Sequence, residues 1–354
     1  MSFIFTKENV AILIRSIISQ NLSKQNSSYF PLWFECEQRG DFNKEPFLFD
    51  SLSLITLATE IGTFFGVHHS GLEENLIRYR DFQSWNDIVL DSLKHYNTTI
   101  TFFTSGTTGK AKLVEHPLEK IIKEASFLST LFCEQTSIDS FVRPHHMYGF
   151  IYTIVLPQIL GVPIVYHEPL PSRAFFKTEP NSLIVATPTL YKELTLFEEC
   201  FAQNTIATSS TEELAETTYE LLQNKGIKKV YEIYGSSESL GVGYRTSIKE
   251  PFRLFDYLQK DSLQDIQDGM DFKDERLFFI QNRNDQLMKY HGYKLDIAEY
   301  EMKLKSLKGI QEATATISKG ELLCFVCSKN KQDVLRQIAL YLSPTPDKIV
   351  WIEV

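Results

Sequence analysis

Between residues 98 and 282 the chain alternates short apolar runs with stretches of helical spacing, and no other feature constrains its fold as tightly. The runs at 151–160, 162–166, 182–186 and 229–233 are bounded by Gly, Pro or charged residues, as strands are. Residues 118–132 and 212–223 repeat their apolar positions with the period of a helix. Strands alternating with helices predict an α/β domain with a mostly parallel sheet. In such sheets, ligands gather in the loops beyond the carboxyl ends of the strands.

The flanks read differently. Residues 1–96 are predicted helical: Val10, Leu13, Ile14, Ile17 and Ile18 share one face, and Leu54, Ile55, Ala58, Ile61 and Phe65 share another. Asp50 is placed to cap the second helix. A short last helix is expected near 85–93. From about residue 284 the pattern is a small α+β domain: helix 297–307, strands 313–317 and 322–328, helix 332–342 and strand 348–354. The expected division is therefore 1–96, 97–282 and 283–354, with the polar, acidic stretch 259–274 as a surface connection.

Charge and composition exclude several functions. The 354 residues carry a formal net charge of −9 without a basic run, which argues against nucleic acid as a partner. No stretch reaches the roughly 18 apolar residues of a membrane span, and the start of the chain lacks the core of a signal peptide, so a cytoplasmic protein is expected. The five cysteines are scattered. Cys324 and Cys327 have no second Cys or His pair to complete a metal site, and buried packing is the expectation for them.

The loop at 101–112 carries the chemistry. An apolar run, Ile100 to Phe103, feeds a turn of hydroxyls and glycines that ends in lysine. Glycine lets a backbone approach a phosphate, successive N–H groups and hydroxyls line it, and lysine adds a point charge. Only two residues separate Gly106 from Gly109, so this is not the Gly-x4-Gly-Lys-Ser/Thr loop.

Ser105-Gly106-Thr107-Thr108-Gly109-Lys110-Ala111-Lys112 resembles the phosphate loop of the adenylate-forming superfamily, which includes acyl- and aryl-CoA synthetases, peptide-synthetase adenylation domains and luciferases. Three further segments resemble its motifs in the right order: His145-His146-Met147-Tyr148-Gly149, Tyr234-Gly235-Ser236-Ser237-Glu238, and the hinge segment from Arg283 through Asp285 to Glu301. The chain looks most like small bacterial aryl/acyl-AMP ligases of aryl-polyene-type pathways. Its first 96 residues resemble an acyl-carrier protein, with Asp50-Ser51-Leu52 matching the sequence whose serine takes a phosphopantetheine arm. Ser51 is also readable as an ordinary helix-start residue, and Leu48, standing where carriers usually place glycine, weighs against attachment.

The resemblance implies an α/β adenylate-forming fold and a two-step reaction. A carboxylate attacks the α-phosphate of ATP, and a thiol of CoA or a carrier then attacks the adenylate. Thr104, Ser105, Gly106, Thr107, Thr108 and Gly109 would cradle the phosphates, with Lys112 favoured over Lys110 as the cation. Tyr234 would stack on adenine, Gly235 would belong to the nucleotide site, Ser237 would contact the α-phosphate, and Glu238 would hold Mg²⁺. Asp268, with Asp265 as competitor, would bind the ribose, Arg283 the ribose or phosphates, and Asp285 would be the hinge. His146 would lie beside the acyl pocket. The family's final Pro-x4-Gly-Lys segment has no counterpart before Val354. Three expectations follow: adenylation that is slow or needs a partner's lysine, a truncated or separately encoded half of the enzyme, or a nucleotide-binding or carrier-partner module that does not adenylate.

Overall fold

The computed structural model describes residues 3–26, 41–44, 47–104, 112–167, 177–197, 200–263, 269–280, 287–290, 293–318, 320–328 and 330–352. Two compact units form: Met1–Thr104 with Leu113–Gln259, and Ser105–Lys112 with Lys260–Val354.

The first unit opens with helices α1 (Lys7–Asn26), α2 (Ser51–Phe65), α3 (Glu73–Arg78) and α4 (Phe82–His95). The Asp50 carboxylate caps α2 by accepting the Ser53 N–H at 2.7 Å, and Gly66 ends the helix in the left-handed region at φ 67°. Ser51 is exposed on the first turn. Leu48, at the position where the carrier resemblance asks for glycine, adopts φ 49°, a conformation glycine enters more easily. Ile55, expected on the apolar face of α2, is 46% exposed, and Leu57 is buried instead. Strands β1 (Thr99–Thr104) and β2 (Lys112–Pro117) pair with each other and lead into α5 (Leu118–Leu131).

The main sheet follows. It is built from β3 (Ser137–Ser140), β4 (Ile164–Tyr166), β5 (Ser182–Ala186), β6 (Ile206–Ser209), β7 (Lys229–Ser236), β8 (Leu240–Arg245) and β9 (Phe252–Leu254). Within this unit the order is β9-β8-β7-β6-β5-β3-β4. The pairs from β4 through β7 are parallel, while β7–β8 and β8–β9 are antiparallel. The intervening helices are α6 (Met147–Phe150), α7 (Leu156–Leu160), α8 (Pro188–Phe197) and α9 (Glu216–Asn224).

Alternate residues of the inner strands serve opposite faces. Leu183, Val185 and Ile206 join the core that contains α1, α2 and α5; Ile184, Ala186 and Ala207 join a second core with Tyr191, Leu194 and Leu222 of α8 and α9. Both faces are covered, as a parallel sheet requires. The N-terminal helices belong to the first core: Phe64 of α2 lies 5.8 Å, centroid to centroid, from Phe102 of β1 and 6.0 Å from Phe150 of α6.

One expectation is corrected here. Residues 151–160 are helical, running from a π-helical turn (Ile151–Val155) into α7, where Gly161 at φ 69° stops them. Ile151 to Pro157 are all buried. A segment buried on every side shows no amphipathic period, so its apolar run cannot separate strand from helix.

The second unit contains the hairpins β10 (Met270–Phe272)–β11 (Leu277–Ile280) and β12 (Leu287–Tyr290)–β13 (Tyr293–Asp296). After them come α10 (Ile297–Lys305), β14 (Ile310–Ser318), β15 (Glu321–Ser328), α11 (Lys331–Tyr341) and β16 (Lys348–Trp351). The sheet β14-β15-β16 packs Ala315, Leu322, Cys324 and Val326 against Tyr300, Leu304, Val334 and Ile338. Cys324 is fully buried in this core, and Cys327 points its thiol at Gln311.

Candidate active site

Because β3, β5, β6 and β7 are parallel, their carboxyl ends share one edge of the sheet. Two of the expected motifs leave from that edge. The loop 141–146 follows β3, and the turn 237–239 follows β7.

The turn after β7 is locked by its own hydroxyls. Ser236 N–H donates to Ser239 Oγ at 3.0 Å, and Ser239 N–H donates to Ser236 Oγ at 3.2 Å. Leu240 then takes φ 62°, an uncommon conformation for a branched side chain, to start β8. This arrangement presents the Glu238 carboxylate to solvent and leaves Ser237 half-buried. Tyr234 is 6% exposed, its ring 5.6 Å from Phe252, so little of it is open to a ligand.

Two residues that the motif reading did not single out hold this turn from behind. His116, near the end of β2, donates from Nε2 to the Ser237 carbonyl at 2.6 Å. Burial pushes its pKa down, which favours the neutral ring. Glu124 of α5 accepts the Gly241 N–H at 2.8 Å. Burial raises its pKa to about 7, against the opposing pull of that N–H. The contact is close: a Cβ at position 241 would overlap the Glu124 carboxyl and the Phe255 ring, which is why glycine stands there. A sequence signal for Glu124 existed, since it falls on the same helix stripe as Ile121, Ala125 and Leu128. His116 carried no comparable signal.

The loop after β3 is held by α1. His145 is buried and uses both ring nitrogens: the Ser16 hydroxyl meets Nδ1 at 2.6 Å, and Nε2 meets Gln20 Oε1 at 3.0 Å. An amide oxygen only accepts, so Nε2 carries the proton and Ser16 donates to Nδ1. The Gln20 amide in turn donates to His146 Nε2 at 3.2 Å. His146 is exposed, so it is open to a ligand where His145 is not. Gly149 lets the start of α6 press on the loop, because any Cβ there would collide with the Arg143 carbonyl.

Lys112 opens β2 as an exposed side chain, and Thr104 closes β1. Ser105, Gly106, Thr107, Thr108, Gly109, Asp268, Arg283 and Asp285 lie outside the described residues. Among the described residues no group of three or more His, Cys, Asp or Glu is arranged to hold a metal, and no helix is long and apolar enough to cross a membrane. An exposed carboxylate flanked by hydroxyls, as at Glu238, fits a hard cation that takes its other ligands from phosphates and water.

The chain is similar to several known proteins. A 4-coumarate–CoA ligase of Halorhodospira halophila is 26% identical over 78% of this chain and 74% of its own. The corresponding ligase of Rhodobacter capsulatus is 24% identical, covering 89% and 86%. Among solved structures, the o-succinylbenzoate CoA synthetase of Bacillus subtilis superposes with a TM-score of 0.52 over 97% of this chain and 89% of that one, at 12% identity, a likeness of fold. The model of the AMP-binding enzymes matches residues 67–260, more than half the chain and both motif-bearing loops, and the protein belongs to that family.

Proposed function

We propose that the protein activates an aryl or fatty carboxylic acid with ATP, forming an acyl-adenylate, and passes the acyl group to a thiol of CoA or of a carrier's phosphopantetheine arm. The observation that carries this reading is the shared sheet edge: Ser237 and Glu238 leave it after β7, and His146 leaves it after β3. A nucleotide and an acid bound along one edge have their reacting groups adjacent. The named ligase activity of the relatives supports the same reading.

The chemistry asks the protein for positioning and for charge neutralisation. Ser237 donates its hydroxyl to an α-phosphate oxygen. Lys112 and the loop 105–109 neutralise the phosphates. Magnesium, when bound, would withdraw charge from the phosphate oxygens, and Glu238, whose side chain is exposed, would hold it. Asp268 and Arg283 anchor the ribose, Asp285 serves as the hinge, and His146 borders the acid. As the acid's carboxylate oxygen bonds to the α-phosphorus, the bond to pyrophosphate breaks; the thiol sulfur later displaces AMP from the acyl carbon.

Pyrophosphate exchange tests this directly. Exchange should require magnesium and an added acid, and Lys112→Ala or Glu238→Gln should lower it by on the order of 100-fold, the scale of losing one transition-state contact. Nucleotide binding without exchange for any aryl or fatty acid would leave only a binding module.

A further inference from the structure

Arg143 stands out among the cations of the first unit. It lies in the loop after β3, half-buried, and its only hydrogen-bond partners among the described residues are neutral: the Ser19 hydroxyl at 3.1 Å and the Ser16 carbonyl at 3.5 Å. Burial pushes its pKa down, and no described carboxylate offsets that cost. Both bonds use Nη1. The Nε–Nη2 edge of the guanidinium, which grips a carboxylate with two parallel bonds, has no partner among the described residues. A cation taken out of water normally has a counter-charge.

The loop is held in place before any ligand arrives. Phe141 N–H bonds the Val185 carbonyl at 2.9 Å, His146 N–H bonds the Arg143 carbonyl at 3.2 Å, and α6 presses on that carbonyl through Gly149. The loop also shares its sheet edge with Ser237 and Glu238. From β3 to β7 there are three strand spacings, about 14 Å in all. An acid whose carboxylate met the α-phosphate near Ser237 and whose body ran along this edge past His146 would bring its far end to the loop that carries Arg143.

We infer that Arg143 determines specificity for acids bearing a second oxygen acceptor at the end remote from the activated carboxylate. This rests on the ligase reading above and narrows its substrate class. A phenol oxygen and a second carboxylate share that chemistry, and the carboxylate matches the arginine fork better.

The test uses the full chain and compares benzoate, 4-methylbenzoate, 4-hydroxybenzoate and terephthalate, first by calorimetric binding with AMP present and then by pyrophosphate exchange. The para-oxygen acids should bind at least tenfold more tightly than 4-methylbenzoate, and terephthalate against 4-hydroxybenzoate identifies the preferred oxygen. Arg143→Met should shrink the tenfold ratio to within about twofold, and Arg143→Lys should hold an intermediate ratio. A purely structural arginine that tethers α1 would lower the unfolding midpoint in Arg143→Met while leaving the ratio in place, and that result overturns the inference. So does a wild-type ratio near one, which needs no variant to fold. Acid binding with the predicted ratio but no exchange would refute the ligase reading while sustaining the role of Arg143.

Discussion

Replacing Glu124 by Gln should make the protein more stable, by an amount that depends on pH. The side chain is fully buried, and burial lifts its pKa from the usual 4.5 to about 7. Below pH 4.5 the carboxyl is protonated in both the folded and unfolded chains, so it adds no pH-dependent penalty. Between pH 4.5 and 7 the unfolded chain has released the proton and the folded chain retains it. The folded state binds more protons, so its stability falls as pH rises. Above pH 7 the penalty is complete, and at about 1.4 kcal/mol per pKa unit it amounts to about 3 kcal/mol. Gln keeps an oxygen to accept the Gly241 N–H and puts an N–H where the protonated acid had its O–H. The advantage of Glu124→Gln should thus grow from near zero below pH 4.5 to about 3 kcal/mol above pH 7. Urea unfolding read by the fluorescence of buried Trp85 measures it, with a difference in midpoint on the order of 1 M at pH 8.5. Taking the difference between the two chains cancels the other titrating groups. A difference that stays constant from pH 4.5 to 8.5 would refute the reasoning, because it would mean Glu124 does not titrate in that range.

Other substitutions probe the same frame. His116→Phe removes the donor to the Ser237 carbonyl and should weaken Mg·ATP binding about tenfold, the scale of about 1.4 kcal/mol per decade, while His116→Gln, which carries a donor at similar reach, should restore most of it; calorimetric titration reads both. Gly149→Ala should destabilise the first unit by about 1–3 kcal/mol in urea melts, since the new methyl group must displace the Arg143 carbonyl. Arg245→Leu strands the buried Glu232 carboxylate that Arg245 bonds at 2.7 Å, and a loss of about 3–5 kcal/mol is expected from the same measurement. Ser51 offers an exposed hydroxyl, and mass spectrometry after incubation with a phosphopantetheinyl transferase tests it as an attachment point by a single mass shift.

The parallel sheet was legible because its strands are short, apolar and punctuated, and because the turn residues of 237–239 sit directly after one of them. The N-cap was legible too, since Asp50 acts through local backbone chemistry that sequence spacing exposes. The helix at 151–160 was not, because uniform burial erases the period that separates helix from strand. The brace behind the turn was hidden for another reason. His116 and Glu124 lie 121 and 117 positions from their partners Ser237 and Gly241. Only the folded chain brings such distant positions together, and an acid on an apolar stripe signals burial without naming what it bonds. Arg143 was equally silent, for its interest lies in having no carboxylate partner among the described residues.

The aromatic contact of Phe64 with Phe102 and Phe150 has a consequence for how this chain can be divided. A shortened protein starting at residue 97 would strip one wall from the rings that seat both β1 and α6, the second of which directly follows the 141–146 loop. Module exchange with a foreign carrier or ligase would therefore have to transplant those rings together, since a cut between them uncouples the scaffold from the chemistry it presents.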